Sequence, residues 1–325
     1  MAPSFSRPLA LFALVLAACS TAGTSPVDEE RQIEIHTEST VGYMNMGEYD
    51  RAIDQAMRGL SLDPDNDRLK LYLARALLMR RGTQDVMRAE QILRELDGTE
   101  DFRVPLGLAE VLERKGVAFD QAGRAIASGE RFTQAPDPAA RGKELSEQAL
   151  TAWNESLEFY GRANELRPND LEIVSGLVRV NSLLGNHEQS LVWADAFLAT
   201  SSTDRSFWEE QLRRPDMSVA EEERIRTNVD RLTSLEGAVL LQASSTTLSL
   251  DRREQALAYL SRLLTIDPDL PEAHSRRAQL LMDLERYEEA IAGIDSYLRL
   301  AGLPFEHPYV RRAYELRRAC EMAIE

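Results

Sequence analysis

The sequence predicts an all-α protein built from antiparallel helical hairpins. Apolar residues recur three and four positions apart through most of the chain, which is the spacing of one face of an α-helix. Alternating runs of valine, isoleucine and threonine, which would indicate β-strands, are absent from the sequence. With 325 residues, of which 43% are hydrophobic, the chain has enough apolar surface for a long array of packed helices.

The N-terminus carries an apolar run that is too short to cross a membrane. Residues 9–16 read LALFALVL and follow Arg7, whereas a spanning helix needs roughly 20 apolar residues. The run has the length of a signal-peptide core, and small residues precede a cysteine in Leu16-Ala17-Ala18-Cys19. An ordinary secretory signal with a chance cysteine would contain the same run, and it remains an alternative.

The segment Leu16-Ala17-Ala18-Cys19 resembles the lipobox of bacterial lipoproteins. The resemblance implies that residues 1–18 are removed as a signal peptide and that Cys19 carries acyl chains such as palmitate, which bind the membrane. Ser20 stands where an aspartate would favour retention at the inner membrane, so the resemblance implies an outer-membrane lipoprotein of the cell envelope that faces the periplasm. We expect the polar residues 19–31 to form a flexible tether.

A motif recurs in the helical region with a period of about 34 residues. Each copy combines a tight turn, small residues that let two helices approach, and a proline that ends the second helix because it has no N–H. The clearest copies contain Gly47, Tyr49, Ala52 and Pro64; Pro168, Gly185, Ser190 and Ala194; and Pro268, Ala278, Tyr287 and Ala290. These segments resemble tetratricopeptide repeats (TPRs), and the resemblance implies a TPR-like α-solenoid over residues 32–303.

Two regions depart from this repeat, and a further helix follows it. An insertion at about residues 116–150 keeps helical spacing on both sides of Ala135-Pro136-Asp137-Pro138, so we expect two lengthened antiparallel helices there. In the second irregular region, Ser218 and Glu221 have the spacing of a capping box that begins a long helix. We expect residues 304–325 to form a C-terminal capping helix, because a solenoid needs a polar outer face at its end.

Charge and motif content argue against nucleic-acid binding and against catalysis. The formal net charge is -16, so phosphates would repel the protein, and loss of residues 1–18 removes Arg7 and no acid.

Cys320 is the second of two cysteines, so no disulfide within the mature chain is expected if Cys19 is acylated. No phosphate-binding or nucleophile motif is present, and we predict no enzyme, cofactor or metal. The histidines lack ligand-like spacing: His36, His187, His274 and His307.

The surface of the array is the remaining candidate site. In TPR proteins the first helix of each hairpin lines a concave groove that commonly holds a peptide or a partner's helix. The residues expected to point into this groove are Tyr72, Arg75, Met79, Arg179, Gln279 and Met282. Arginine and aromatic residues suit binding hot spots and methionine suits adaptable contacts, although all six would also fit as ordinary exposed helix residues. The clamp by which some TPR domains hold a C-terminal carboxylate is missing, since Thr37, Val41 and Leu71 occupy its positions.

The resemblance therefore implies a non-catalytic scaffold that binds other envelope proteins, in assembly of an envelope machine or in cell-wall remodelling. A periplasmic solute-binding protein associated with a transporter is the alternative, with the lengthened hairpin and the Ser/Thr-rich residues 244–249 lining a cavity. An enzyme whose site is assembled from distant residues is a third. An open groove would favour the scaffold, a closed polar pocket the solute-binding protein, and converging reactive side chains the enzyme.

Overall fold

The computed structural model describes residues 26–131 and 134–325, and regular structure in them is helical throughout. The helices are α1 (Pro26–Asn45), α2 (Tyr49–Leu62), α3 (Asp67–Arg80), α4 (Thr83–Glu95), α5 (Arg103–Ala127), α6 (Pro138–Leu166), α7 (Leu171–Leu183), α8 (His187–Gln211), α9 (Val219–Ser249), α10 (Arg253–Ile266), α11 (Pro271–Asp283), α12 (Tyr287–Leu300) and α13 (Pro308–Ile324). Among the described residues, no helix has both the length and the apolar character needed to cross a bilayer. The predicted signal peptide and Cys19 lie outside the described residues.

Consecutive helices pair into six antiparallel hairpins in the described part of the chain, from α1 and α2 to α11 and α12, and α13 packs on α12. The first helices of neighbouring hairpins also contact one another from α1 through α9. The second helices make no comparable contacts within the described ranges, so the first helices form the inner face of the array. This arrangement confirms the predicted all-α solenoid, including its lengthened central hairpins and its terminal helix.

The turn inside each of the six described hairpins contains a residue in the left-handed conformation, and in four of them this residue stands at the motif's glycine position. Gly47 and Gly185 have φ values of 74° and 77°, as the recurring motif predicts. Asp251 and Glu285 occupy the corresponding positions with φ values of 55° and 60°. Since these two residues have a Cβ atom, their turns carry local strain that the packed helices on either side must offset.

Helix α1 begins earlier than the sequence predicts. The flexible tether was expected to reach residue 31, but residues 26–31 are helical. Pro26 is suited to the first turn of a helix, because its fixed φ matches the helix and its missing N–H would have no helical partner there. Asp28 and Glu29 add negative charge where the helix dipole is positive.

In the long hairpin of α5 and α6, the two helices come very close to each other at glycine residues. The two backbones nearly touch where Gly123 faces Gly142, since a Cβ atom on Gly123 would lie 2.8 Å from the Gly142 carbonyl oxygen. Further along, a Cβ atom on Gly116 would lie 2.4 Å from Nε1 of Trp153. At the start of α6, the Asp137 side chain accepts a hydrogen bond from the backbone N–H of Ala140. The hairpin therefore depends on residues that leave room for a neighbouring helix.

A buried carboxylate joins the second long pair, α8 and α9, to α10. The Glu236 side chain is fully buried, and its two oxygens accept from Nε of Arg205 at 3.1 Å and from an Nη of Arg262 at 2.8 Å. At the start of α9, the Ser218 hydroxyl accepts from the Glu221 backbone N–H, which is one of the two hydrogen bonds of the predicted capping box. The Glu221 carboxylate accepts a hydrogen bond from Arg214. Helices α8 to α10 therefore meet at a paired charge as well as at apolar contacts.

Replacing Gly123 by alanine should destabilise the array. The added Cβ atom would press on the Gly142 carbonyl, and overpacking of this kind typically costs about 1–3 kcal/mol. Gly161 on α6 is the matched control, because its Cβ atom would meet nothing within 4 Å. Gly161→Ala should stabilise by about 0.5–1 kcal/mol, as expected for a helix interior. Urea unfolding followed by circular dichroism measures both; equal stability of Gly123→Ala and the parent would contradict the close approach.

Candidate functional site

The inner face of the array contains a cleft where four first helices meet. This central cleft, with a volume of about 250 Å³, is lined by residues of α3, α5, α7 and α9. Its apolar part is formed by Leu78, Leu106 and Leu235, and Met79 lies at its edge with 44% of its surface exposed. An adjoining cavity of about 540 Å³ shares several lining residues with it. The first helices thus form a concave, partly apolar surface.

Two of the arginines at the central cleft are held by acids of the protein itself. Arg179 binds both oxygens of Glu113, at 2.7 and 3.0 Å, and the Tyr160 hydroxyl donates to Glu113 at 2.7 Å. Arg103 binds Asp101 at 2.5 Å and lies over the Tyr72 ring. Because these guanidinium groups already have acceptors, they position helices and have few donors left for a ligand.

Arg75 and Arg231 are paired only loosely. Both approach the same carboxylate, Glu172, with N–O distances of 4.0 Å and 3.5 Å. Neither guanidinium makes a hydrogen bond to another side chain or carbonyl within the described residues. Each guanidinium has five N–H donors, so the pair presents many unused donors to a ligand in the adjoining cavity, which both arginines line.

Glu110 on α5 lines the central cleft and has no hydrogen bond or ion pair with any described residue. Burial raises the pKa of this carboxyl above its ordinary value, and the nearby Arg114 and Arg75 offset only part of that rise. The central cleft therefore contains an acceptor as well as donors that the fold leaves unsatisfied. Together, these groups match the needs of a peptide backbone, which carries both N–H and C=O.

Burial also affects the groups behind the cleft wall. It raises the pKa of Tyr160 well above its ordinary value, and the adjacent Glu113 carboxylate acts in the same direction. Burial alone would lower the pKa of Arg179, but Glu113 more than compensates and keeps it above its ordinary value. Arg179 thus stays charged where it crosses from α7 to α5.

The predicted groove residues divide among different surroundings. Arg75, Met79 and Arg179 line the central cleft, whereas Gln279 lines a separate groove near the C-terminus. Tyr72 lies between Arg68 and Arg103, with the guanidinium carbons 5.8 and 5.5 Å from its ring centre. Burial alone would raise the pKa of the Tyr72 hydroxyl, but these two cations outweigh burial and lower the pKa below its ordinary value. Met282 is half-buried against the C-terminal apolar core.

Sequence reasoning missed Glu110, Glu172 and Arg231. Arg231 lies on the part of α9 that departs from the repeat, so no repeat position pointed to it. Glu110 precedes the insertion in α5 and was one acid among many in an acidic chain. A charged residue on the inner face of a first helix, within an otherwise apolar stretch, is the signal that would have identified it.

The separate groove lies among α11, α12 and α13 and has a volume of about 470 Å³. We call it the C-terminal groove. Its floor contains the buried side chains of Ala278, Ile294 and Ala313, and its walls include Tyr297 and Tyr309. Both the central cleft and this groove are open to the surface. The array therefore offers the central cleft on its inner face and this groove at its C-terminal end as places where another molecule fits.

The Ser/Thr-rich stretch does not line a cavity of this kind. The Thr247 hydroxyl donates to carbonyls of its own helix, and the Ser245 hydroxyl does the same. Thr246 is buried, and its hydroxyl lies 3.1 Å from that of Ser182 on α7. These hydroxyls hydrogen-bond between and within helices, so this stretch offers few free hydroxyls to a solute.

Metal-ligating and nucleophilic side chains do not converge in the described residues. No group of three or more His, Cys, Asp or Glu side chains there could hold a metal ion. Cys320 is buried on α13, and burial raises the pKa of its thiol, which keeps it protonated and unreactive.

Family models match the chain near its two ends. A tetratricopeptide repeat model matches residues 43–66, and a second tetratricopeptide repeat model matches residues 248–303. The chain contains tetratricopeptide repeats. The matched segments cover α2 and the stretch from α10 to α12. The lengthened hairpins of the array lie between the two matched segments.

Several solved structures are similar to the chain. A thermophilic TPR protein of Thermus thermophilus has 18% identity and a TM-score of 0.27, with 91% of this chain and 98% of that chain covered. The assembly chaperone of RpL4 has 19% identity and a TM-score of 0.47, with coverages of 80% and 87%. A tetratricopeptide repeat protein of Parabacteroides merdae has 13% identity and a TM-score of 0.38, with coverages of 89% and 99%. No curated protein matches the sequence.

Replacing Glu110 by glutamine should stabilise the TPR array at neutral pH. A carboxyl whose pKa is raised by folding binds its proton more tightly in the folded state, so its charged form opposes folding at high pH. The gain should shrink as the pH falls toward the ordinary glutamate value of 4.5, where the parent carboxyl is protonated as well.

Thermal unfolding between about pH 4 and pH 7.5 measures this effect. Glu158→Gln, at an exposed position on α6, is the control and should leave the melting temperature close to that of the parent. A destabilised Glu110→Gln protein at neutral pH, or a gain that persists at low pH, would contradict the prediction.

Proposed function

We propose that the protein is a membrane-anchored envelope lipoprotein whose TPR array is a non-catalytic scaffold that binds partner proteins through its inner face. The observation that carries this proposal is the central cleft. Arg75 and Glu110 line the cleft and Arg231 lines the adjoining cavity, and none of the three makes a hydrogen bond to a described residue. The apolar side chains of Leu78 and Leu235 lie in the same cleft. A scaffold surface needs this combination of apolar area and orienting polar groups.

The charges of the cleft favour a polypeptide over a strongly charged ligand. Arg75 and Arg231 are balanced by Glu172 and Glu110, so a highly acidic or highly basic ligand would meet repulsion from one pair. A polypeptide segment provides backbone carbonyls for the arginines and N–H groups for Glu110 without adding net charge. We propose that such a scaffold acts in the assembly of an envelope machine or in cell-wall remodelling.

The proposed anchor is Cys19, with the outer membrane as its location and the periplasm as the side that the array faces. The support for it is the apolar run of residues 9–16 followed by small residues and a cysteine. A lipid anchor would confine the scaffold to a surface, which raises its effective concentration toward partners in the same membrane. Weak contacts in the cleft would then suffice for binding.

Site-specific photocrosslinking in living cells tests the scaffold. A photoreactive residue at Met79, on the edge of the central cleft, should give discrete adducts with envelope proteins. Met57 on α2 is a matched control, because it is also 44% exposed but belongs to a second helix, away from the cleft. The adducts from position 79 should weaken when Arg75→Ala is introduced. Identical adducts from both positions, or none from position 79, would refute the proposed binding surface.

Mass spectrometry of the native protein tests the anchor. The mature chain should begin at Cys19 and carry the mass of attached acyl chains. A Cys19→Ala protein should lose both the modification and its membrane association. An unmodified N-terminal peptide in the native protein would rule out the anchor. The scaffold proposal would not be affected, because the crosslinking experiment tests it separately.

A further inference from the structure

The C-terminal groove differs from the central cleft because its floor is apolar and its cations are few. Helix α13 packs on α12 through Val310, Ala313 and Cys320, which are buried. The groove lies on the side of α13 that faces α11, and Tyr309 at its edge is exposed. The groove is therefore an apolar surface that none of the described helices covers.

The groove has the shape of a slot for bulky side chains. Ala278 and Ala313 are small and buried at its floor, whereas Tyr297, Tyr309 and Leu316 form its walls. Tyr309 is 69% exposed, so one wall of the slot projects into solvent. A volume of about 470 Å³ lies within the range of sites that enclose ligands, which is roughly 300–1,000 Å³. Small residues below and aromatic residues beside the slot suit a large apolar anchor.

An exposed arginine at the rim of the groove favours a bound molecule that carries a negative charge. Arg312 is 67% exposed, and its contact with the equally exposed Glu315 is 3.3 Å long. Exposed pairs of this kind contribute little, so the guanidinium is available to a stronger acceptor. Across the groove, Arg276 is already bound by Glu272 at 2.6 Å. Arg312 is therefore the cation that a ligand in the slot would meet.

We propose that the C-terminal groove binds a short segment of a partner protein in which a large apolar side chain lies next to a carboxylate. The apolar side chain fills the slot between Tyr297 and Tyr309, and the carboxylate pairs with Arg312. The amide oxygen of Gln279, whose NH₂ group donates to Asp283 at 3.2 Å, accepts a backbone N–H of the segment. The proposal rests on the scaffold function and adds a second docking surface with its own selectivity.

Selection from a phage-displayed library of random peptides, with the purified full chain as bait, tests this inference. The enriched peptides should share leucine, phenylalanine or tryptophan within about one helical turn of aspartate or glutamate. Synthetic copies of these peptides are then titrated against the protein by fluorescence anisotropy. Enriched peptides that lack this pattern, or no enrichment over unselected peptides, would overturn the proposal.

Variants on α13 locate the bound peptide. Arg312→Glu and Tyr309→Ala should each weaken binding by about tenfold or more, because both remove a contact at the slot. Arg318→Glu and Tyr314→Ala make the same changes at exposed positions of α13 that do not line the groove, and they should change affinity by less than about twofold. All four positions are exposed, and circular dichroism checks that each variant keeps its helical content. Equal affinity of Arg312→Glu and Arg318→Glu would overturn the proposal.

Two further outcomes separate this inference from its rivals. If a second copy of the chain fills the groove, light scattering will show a concentration-dependent dimer that Tyr309→Ala abolishes, and the proposal fails. If Arg75→Ala abolishes peptide binding while Arg312→Glu does not, the central cleft is the peptide site and the proposal again fails. If position 79 gives no adducts in cells but the peptide selection succeeds, the central cleft is not a binding surface. The proposal for the C-terminal groove then stands.

Discussion

The contact on which the central part of the array depends is the approach of the Tyr160 ring to Gly176. A Cβ atom at Gly176 would lie 2.1 Å from the ring, so only glycine lets α7 come this close to α6. With the ring in place, the Tyr160 hydroxyl reaches Glu113, and Glu113 in turn holds Arg179. One missing methyl group thus allows three helices to be joined by hydrogen bonds, and these bonds fix one wall of the central cleft.

The arginines at the inner face fall into two groups. Some are bound by acids that join the helices, and others have donors that a ligand can use. Arg179 and Arg103 are committed to Glu113 and Asp101, and they hold helices at a fixed spacing. Arg75 and Arg231 share one carboxylate at long distance and keep their donors free. A rigid frame around these groups lowers the conformational entropy that the protein itself loses on binding, and this favours binding in a small cleft.

Much of the fold follows from local sequence signals, whereas the cleft does not. Gly47 and Gly185 mark turns because they adopt positive φ, and Pro138 and Ser218 mark helix starts. The turn at Asp251 has the same conformation without glycine, so the motif does not reveal it. The cleft depends on how far α9 extends over the inner face and brings Arg231 to Glu172, which is a distance set by tertiary packing and not by any local pattern.

The buried Glu236 has a consequence for how this region can change over evolutionary time. Removing both arginines would leave the fully buried Glu236 carboxylate without a cation, and such a loss costs about 3–5 kcal/mol. Removing one of them leaves Glu236 bound by the other. Replacing all three by well-packed apolar side chains avoids that penalty and is commonly neutral or favourable. We therefore expect substitutions at positions 205, 236 and 262 to depend on one another, because the cost of losing one of these side chains is set by which of the other two is present.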